Sequence, residues 1–365
     1  MTRPPIGRSV DELDTPALLV DLDVLDANIG RIAAACRSNG VRWRPHVKGA
    51  GAPAIAHRMI LAGACGITCA KLGEAEAMAD AGLDDMLVAN QIVGAQKIAR
   101  LVDLARRAAV IVAVDDPDQV AVLGAAARRA GIRLRVHVEV DIGLHRAGVS
   151  PGTPVIDLAR AIAGEPGLEL MGVMGWEGHA ARIPDPGEKH RTAAHAIGLL
   201  TGSAAACRAA GLSIPVVSCG GTGTYPVAVG EAGVTEIQAG GGVLSDVRYR
   251  TVMGIDHPYA LTVLTTVTSR PSPERIVCDT GKRSMSSDGA VPLPIGLGPT
   301  RSVVLSAEHT TIELESPSAE PRVGAHLEFV VGQGDTTIHL HDEVNGVRDR
   351  RVEAVWPVLA RARTR

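Results

Sequence analysis

Residues 110–114, VIVAV, and 133–141, RLRVHVEVD, are two β-branched runs on either side of an Ala-rich stretch. Strand, helical crossover, strand is the order that gives parallel pairing, because a parallel neighbour is reached only through a long connection. The unit recurs in both directions along the chain. Runs of the same character stand at 41–47 (VRWRPHV), 66–70 (GITCA) and 86–90 (MLVAN) before it, and at 168–176 (LELMGVMGW), 215–219 (PVVSC) and 235–240 (TEIQAG) after it. Eight such runs predict an α/β fold, a closed (β/α)8 barrel. Ahead of the first run, Leu25, Ile29, Ile32 and Cys36 fall at helical spacing, with Asp21 or Asp23 as N-cap and Gly40 as the stop. After about residue 255 the rhythm changes. The segments 261–269 (LTVLTTVTS), 302–315 (SVVLSAEHTTIELE) and 326–331 (HLEFVV) read as strands of an antiparallel β domain. The expected division is a barrel over 10–254 and a β-rich domain over 255–365, which the early strand at 17–22 (ALLVDL) is free to join.

Composition narrows the partners. With 37 Lys plus Arg against 40 Asp plus Glu the formal charge is −3, no electrostatic footprint for nucleic acid or an anionic membrane. Three Trp, three Tyr and one Phe leave the core to Ala, Val, Leu and Ile and make base-stacking platforms improbable. The opening residues 1–9 carry Arg and Pro but no apolar segment of the signal-peptide kind, and no apolar stretch reaches the roughly 18 residues of a spanning helix. The expectation is a cytoplasmic protein acting on a small molecule. Its six cysteines, at 36, 65, 69, 207, 219 and 278, lack metal or CxxC spacing and read as reduced structural thiols.

In such a barrel the chemistry sits at the C-terminal ends of the strands, and the loops after strands seven and eight commonly hold a phosphate. Here Gly220-Gly221-Thr222-Gly223-Thr224 follows the seventh run and Gly240-Gly241-Gly242 the eighth. Glycine lets backbone approach an anion closely, and threonine adds hydroxyl donors. At the end of the first run stands Arg44-Pro45-His46-Val47-Lys48. Facing a phosphate cradle, Lys48 is placed to form a Schiff base with a phosphorylated aldehyde, and pyridoxal 5'-phosphate supplies both halves of that requirement.

These residues, with Thr15-Pro16-Ala17, Asp141-Ile142-Gly143-Leu144-His145-Arg146-Ala147-Gly148, Glu177-Gly178-His179, Ser306-Ala307-Glu308-His309 and the tail from Asp342 to Pro357, resemble in order the D-threonine aldolase and D-serine dehydratase family. Its members are fold-type III pyridoxal-phosphate enzymes with an alanine-racemase-like barrel. The resemblance implies that Lys48 is the Schiff-base lysine, that Arg146 hydrogen-bonds the cofactor's phenolic oxygen, and that Gly221, Thr222, Gly223, Thr224, Gly240, Gly241 and Gly242 cradle its phosphate. It further implies that His179 faces an amino-acid substrate, and that the protein is a head-to-tail homodimer whose β domain completes a partner's active site.

The sequence also departs from the family. Gly49-Ala50-Gly51 stand where Thr-His-Lys usually follows the lysine. The family's divalent metal is held by a His-x-Cys or His-x-Asp pair, and the matching positions are Gln333-Gly334-Asp335. An amide oxygen and a carboxylate suit Mg²⁺ or Mn²⁺ better than softer ions, with His339 and His341, two apart on an expected strand, as the reserve pair. Asp335 is the aldolase-like residue at its position. The resemblance therefore implies retro-aldol cleavage of D-β-hydroxy amino acids to glycine and an aldehyde, with a D-serine or 3-hydroxy-D-aspartate dehydratase, a racemase, or a non-catalytic cofactor carrier as the alternatives.

Overall fold

Strand β1 (Ala17–Asp21) leads into helix α1 (Leu22–Ser38), whose first turn is capped by Asp21 Oδ1 accepting from the amides of Asp23 and Val24 at 3.0 and 2.9 Å. Gly40, at φ +66°, ends it in the left-handed region that glycine enters freely. The computed structural model describes residues 5–365. Then β2 (Arg42–Trp43), β3 (Ile67–Cys69), β4 (Asp85–Gln91), β5 (Ala109–Val114), β6 (Leu134–Glu139), β7 (Leu168–Met174), β8 (Val216–Cys219) and β9 (Glu236–Ile237) pair in parallel, in the order β2-β9-β8-β7-β6-β5-β4-β3. The two ends of that path meet. The amides of Cys65 and Thr68 donate to the carbonyls of Trp43 and Pro45, and the Val47 amide donates to the Thr68 carbonyl, each at 2.8 Å. The eight runs thus make the closed barrel that their alternation predicts.

Helices α2 (Pro53–Leu61), α3 (Leu72–Asp80), α4 (Ala95–Ala105), α5 (Pro117–Ala130), α6 (Thr153–Gly164), α7 (Pro186–Ala209) and the short α8 (Tyr225–Ala228) make the crossovers. α5 shows how one of them starts and stops. Asp116 accepts from the Asp118 amide at 2.7 Å, Pro117 fills the first turn, and Gly131 closes the far end at φ +67°. Inside the barrel, Leu87, Ile111, Ala113 and Met174 form one buried aliphatic cluster.

The remaining strands are β10 (Leu261–Ser272), β11 (Arg275–Cys278), β12 (Leu293–Pro294), β13 (Thr300–Leu305), β14 (Thr310–Leu314), β15 (His326–Val330), β16 (Glu343–Arg348) and β17 (Arg351–Pro357). They form a sheet ordered β13-β14-β11-β10-β1-β16-β17, with β15 pairing β10 and β12. All pairs are antiparallel except β1 with β16. By contact density the chain divides into two units, a barrel unit (30–48, 56–240 and 362–365) and a β unit (residues up to 29, 49–55 and 241–361). Among the described residues no helix is long and apolar enough to cross a membrane.

Two local expectations change. The run 302–315 splits at a tight turn, where the Ser306 amide donates to the His309 carbonyl at 2.8 Å. The stretch carrying His339 and His341 is not a strand but helix α9 (Gly334–Thr337) followed by a 3-10 turn (Ile338–Leu340). Thr337 Oγ1 donates back to the Gln333 carbonyl at 2.7 Å, and Asp246 Oδ2 accepts the first amide, that of Gly334, at 2.8 Å. Local side-chain bonds outcompete the extended conformation there, so the two histidines do not share a strand face.

Candidate active site

In the barrel unit, the backbone beyond β2 runs on through a bridge between His46 and Thr68 to Lys48, whose amide donates to His46 Nδ1 at 3.4 Å. His46 is held well below the ordinary histidine range by burial and by the charges of Lys48 and Arg146, so a neutral imidazole underlies the lysine. Across from it, after β7, stands Trp176. Lys48 Nζ lies 5.9 Å and the Arg146 guanidinium 5.0 Å from the centre of its ring, within reach of cation–π attraction. The ring is seated against glycine. A Cβ at Gly178 would come within 2.9 Å of ring atoms, and one at Gly221 within 2.6 Å of the indole nitrogen.

Arg146 is presented by a turn that Asp141 ties. Asp141 Oδ1 accepts the amides of Gly143 and His145 at 3.0 and 2.9 Å, and Asp115 takes the Gly148 amide at 2.9 Å. The Arg146 guanidinium is 3.6 Å from Glu139, which also accepts from Gln91 at 2.6 Å and whose carboxyl is raised by burial. His179 packs over Gly143, where a Cβ would meet Cε1 at 3.0 Å. Its Nδ1 is buried without a hydrogen-bond partner, the state expected of a group that meets a ligand.

In the glycine loop after β8, a side chain of the chain itself takes part of the backbone. Glu177, wholly buried, accepts the Gly220 amide at 3.4 Å, the Gly221 amide at 3.3 Å and the Thr224 hydroxyl. Glu177 takes no bond from the amides of Thr222, Gly223 and Thr224, and the last of these donates to the Gly221 carbonyl at 3.0 Å. Gly240 is glycine because the backbone of His46 crosses it.

In the β unit, Gly241 faces the Tyr249 hydroxyl, and the Gly242 carbonyl accepts from His257 Nδ1 at 2.8 Å. A Cβ at Gly49, the residue after Lys48, would lie 2.5 Å from Asp335 Oδ1. Asp246 also takes the Tyr249 amide at 2.7 Å, and burial raises its carboxyl to about 6. Gln333 Oε1 is buried and unpartnered, while His341 Nε2 donates to the Ser284 carbonyl at 2.7 Å. Among the described residues no three His, Cys, Asp or Glu side chains are grouped to hold a metal.

Trp176 and Asp246 thus join the residues singled out in the sequence, while His46 and Glu177, quoted there as parts of their motifs, gain roles of their own. Trp176 directly precedes the quoted Glu177-Gly178-His179, but nothing in a linear pattern signals a stacking ring or a carboxylate that reaches across to a neighbouring loop.

Comparison with known proteins gives a consistent picture. Residues 20–245 match the alanine racemase N-terminal domain and residues 260–347 a putative serine dehydratase domain. The chain is 33% identical to a D-threonine aldolase of Arthrobacter over 98% of this chain and 96% of that protein. It is 32% identical to a 3-hydroxy-D-aspartate aldolase of Paracoccus denitrificans, over 98% and 94%. The crystal structure of D-threonine aldolase from Filomicrobium marinum superposes with a TM-score of 0.95 at 35% identity, covering 99% of this chain and 98% of that one.

Proposed function

This chain belongs to the D-threonine aldolase family, and on that footing we propose that it cleaves D-configured β-hydroxy amino acids between Cα and Cβ, yielding glycine and an aldehyde. The observation that carries the reading is the grouping of Lys48 and Arg146 about one indole ring, with the unpartnered Nδ1 of His179 in the same unit. These residues fit pyridoxal 5'-phosphate, which when bound supplies an electron-withdrawing ring for the electron pair released at Cα. Lys48 would hold its aldehyde carbon and Arg146 its phenolic oxygen. Thr222 and Gly223, with Gly221, Thr224 and Gly240 shaping the backbone, would hold its phosphate.

The chain's own part in the reaction is positioning and proton transfer. Trp176 walls the Lys48 side of the mouth against water. His179 Nδ1 accepts the β-hydroxyl proton as the Cα–Cβ bond breaks and the new aldehyde leaves. Gln333 and Asp335 offer an amide oxygen and a carboxylate oxygen, a donor set for Mg²⁺ or Mn²⁺ that falls short of a full coordination sphere without water. The active form is a homodimer.

The test uses the holoenzyme with D-threonine, D-phenylserine, D-serine and 3-hydroxy-D-aspartate, following aldehyde and glycine on one side and ammonia and keto acid on the other. Aldehyde with glycine is expected. Ammonia with keto acid as the main products would make it a dehydratase. Lys48→Ala should abolish the visible absorbance of the lysine-bound cofactor together with activity, and an unchanged spectrum would sink the assignment of Lys48.

A further inference from the structure

Glu177 is a fully buried carboxylate at the barrel mouth that the proposed reaction does not use. Its hydrogen-bond partners are the amides of Gly220 and Gly221 and the Thr224 hydroxyl. It stands between Trp176 and Gly178-His179 in the loop after β7, while all three partners belong to the loop after β8. One side chain therefore fastens two site loops together. The two amide bonds, at 3.4 and 3.3 Å, are long for charge-assisted bonds, and the close contact is that of the Thr224 hydroxyl; three donors on one carboxylate matter most where the backbone is otherwise free to move. The loop after β8 is such a place: Gly220 sits at φ +82°, three of its five residues are glycine, and its second glycine backs onto the Trp176 ring.

We propose that Glu177 is a positioning residue. It spends the Gly220 and Gly221 amides and the Thr224 hydroxyl on a carboxylate of the chain itself. The 220–224 loop is thereby preformed so that Thr222 and Gly223 receive the cofactor phosphate, and it is locked to Trp176 and His179. The proposal rests on the pyridoxal-phosphate reading above and says how Gly221 and Thr224 take part in it: they act on the phosphate through Glu177 and not directly. Without the clamp, the glycine loop must be ordered when the phosphate binds, so affinity for the phosphate falls.

The experiment titrates apoenzyme with pyridoxal 5'-phosphate and, in parallel, with pyridoxal, which lacks the phosphate, following tryptophan fluorescence. Wild-type protein that binds neither would overturn the cofactor reading itself, a result distinct from the outcomes below. Glu177→Gln should weaken pyridoxal 5'-phosphate at least tenfold and change pyridoxal less than twofold. Thr224→Val, which leaves the charge in place, should do the same more mildly. It should also shift the fluorescence of the apoenzyme, a shift that disappears in a Trp176→Phe background. The two substitutions together should cost no more than Glu177→Gln alone. Equal weakening of both ligands would make Glu177 merely structural and overturn the proposal. So would tighter phosphate binding in Glu177→Gln, which would mean that the carboxylate repels the phosphate, or fully additive effects with an unshifted apoenzyme, which would make Thr224 a direct phosphate donor. If Glu177→Gln does not fold, the Thr224→Val ligand comparison and fluorescence shift decide alone.

Discussion

Gly49 shows how a single residue accounts for a departure from the family pattern. Asp335 Oδ1 occupies the place its Cβ would need, and Gly51, two residues on, sits at φ +60° against Val358. A threonine at 49 would have to displace the Asp335 carboxylate, and a lysine at 51 would have to adopt the left-handed backbone that glycine enters freely. Gln333 is the second altered residue. Loss of even an outer-shell partner of a metal typically costs about 10- to 100-fold in affinity, so an imidazole missing from the first shell should cost at least that. Gln333→His is therefore expected to tighten Mn²⁺ binding by tenfold or more in calorimetry and to raise aldol cleavage. Tight binding in the unaltered protein that survives Asp335→Ala would place the ligands elsewhere. His137 supplies a prediction about pH. It is buried on β6 with both ring nitrogens unpartnered, and burial pushes it down to about 4, against the attraction of Glu236. Its ordinary value is near 6.5, so the unfolded chain takes up a proton that the folded chain refuses. Stability contributed by the neutral ring is complete above about pH 6.5 and is lost as pH falls toward 4, by about 3 kcal/mol. His137→Leu should flatten the fall in urea midpoint between pH 7 and pH 5. It should also hold or raise stability at pH 7, since it removes an unsatisfied buried polar group.

At the scale of elements, what could be read from the sequence was what depends on periodicity. The β-branched runs and the Asp and Gly caps mark their own places: six of the eight barrel strands fall inside their runs, and β4 and β5 overrun theirs by one residue at an end, β4 at both. Less visible was anything decided by a side chain meeting a distant one. The first run, 41–47, keeps only Arg42–Trp43 as regular strand, and its remainder is held by single bonds to the 65–68 segment on one side and to Ile237 and Gln238 on the other. Arg44, quoted for its nearness to Lys48, turns out to fasten the barrel: it donates to Glu236 on β9 at 3.0 Å and to Asp85 on β4 at 2.6 Å, and Ser218 on β8 donates to the same Glu236 at 2.9 Å. Gly66 is glycine because the Arg44 guanidinium lies where a side chain would be. No local pattern distinguishes such an arginine from a catalytic one. Removing one member of a buried ion pair strands the other, at a cost of about 3 to 5 kcal/mol. Arg44→Met should therefore lower the urea midpoint sharply, and Arg44→Met with Glu236→Leu should recover most of the loss. An equal loss in the double variant would show that the pair is not what joins β2, β4 and β9.

At the scale of the whole molecule, the sequence resolved the family because the matching blocks run in order along nearly the full chain, which no single glycine loop would have done. Assembly is the property left to surface chemistry. In the β unit, Val291, Leu293 and Ile295 are 57%, 49% and 45% exposed within five residues, and β12, which carries Leu293, has β15 as its one strand partner. A short apolar edge of this kind invites a second chain, and a formal charge of −3 offers little repulsion against it. The expected solution species is a dimer of 37.8 kDa chains, measurable by sedimentation at micromolar concentration. Leu293→Glu places a charge in the middle of that edge and should shift the equilibrium toward monomer without unfolding either unit. If the partner's β unit completes the active site, specific activity should fall in step with the dimer fraction as this variant is diluted. A fully active monomer would show that each chain carries a complete site of its own.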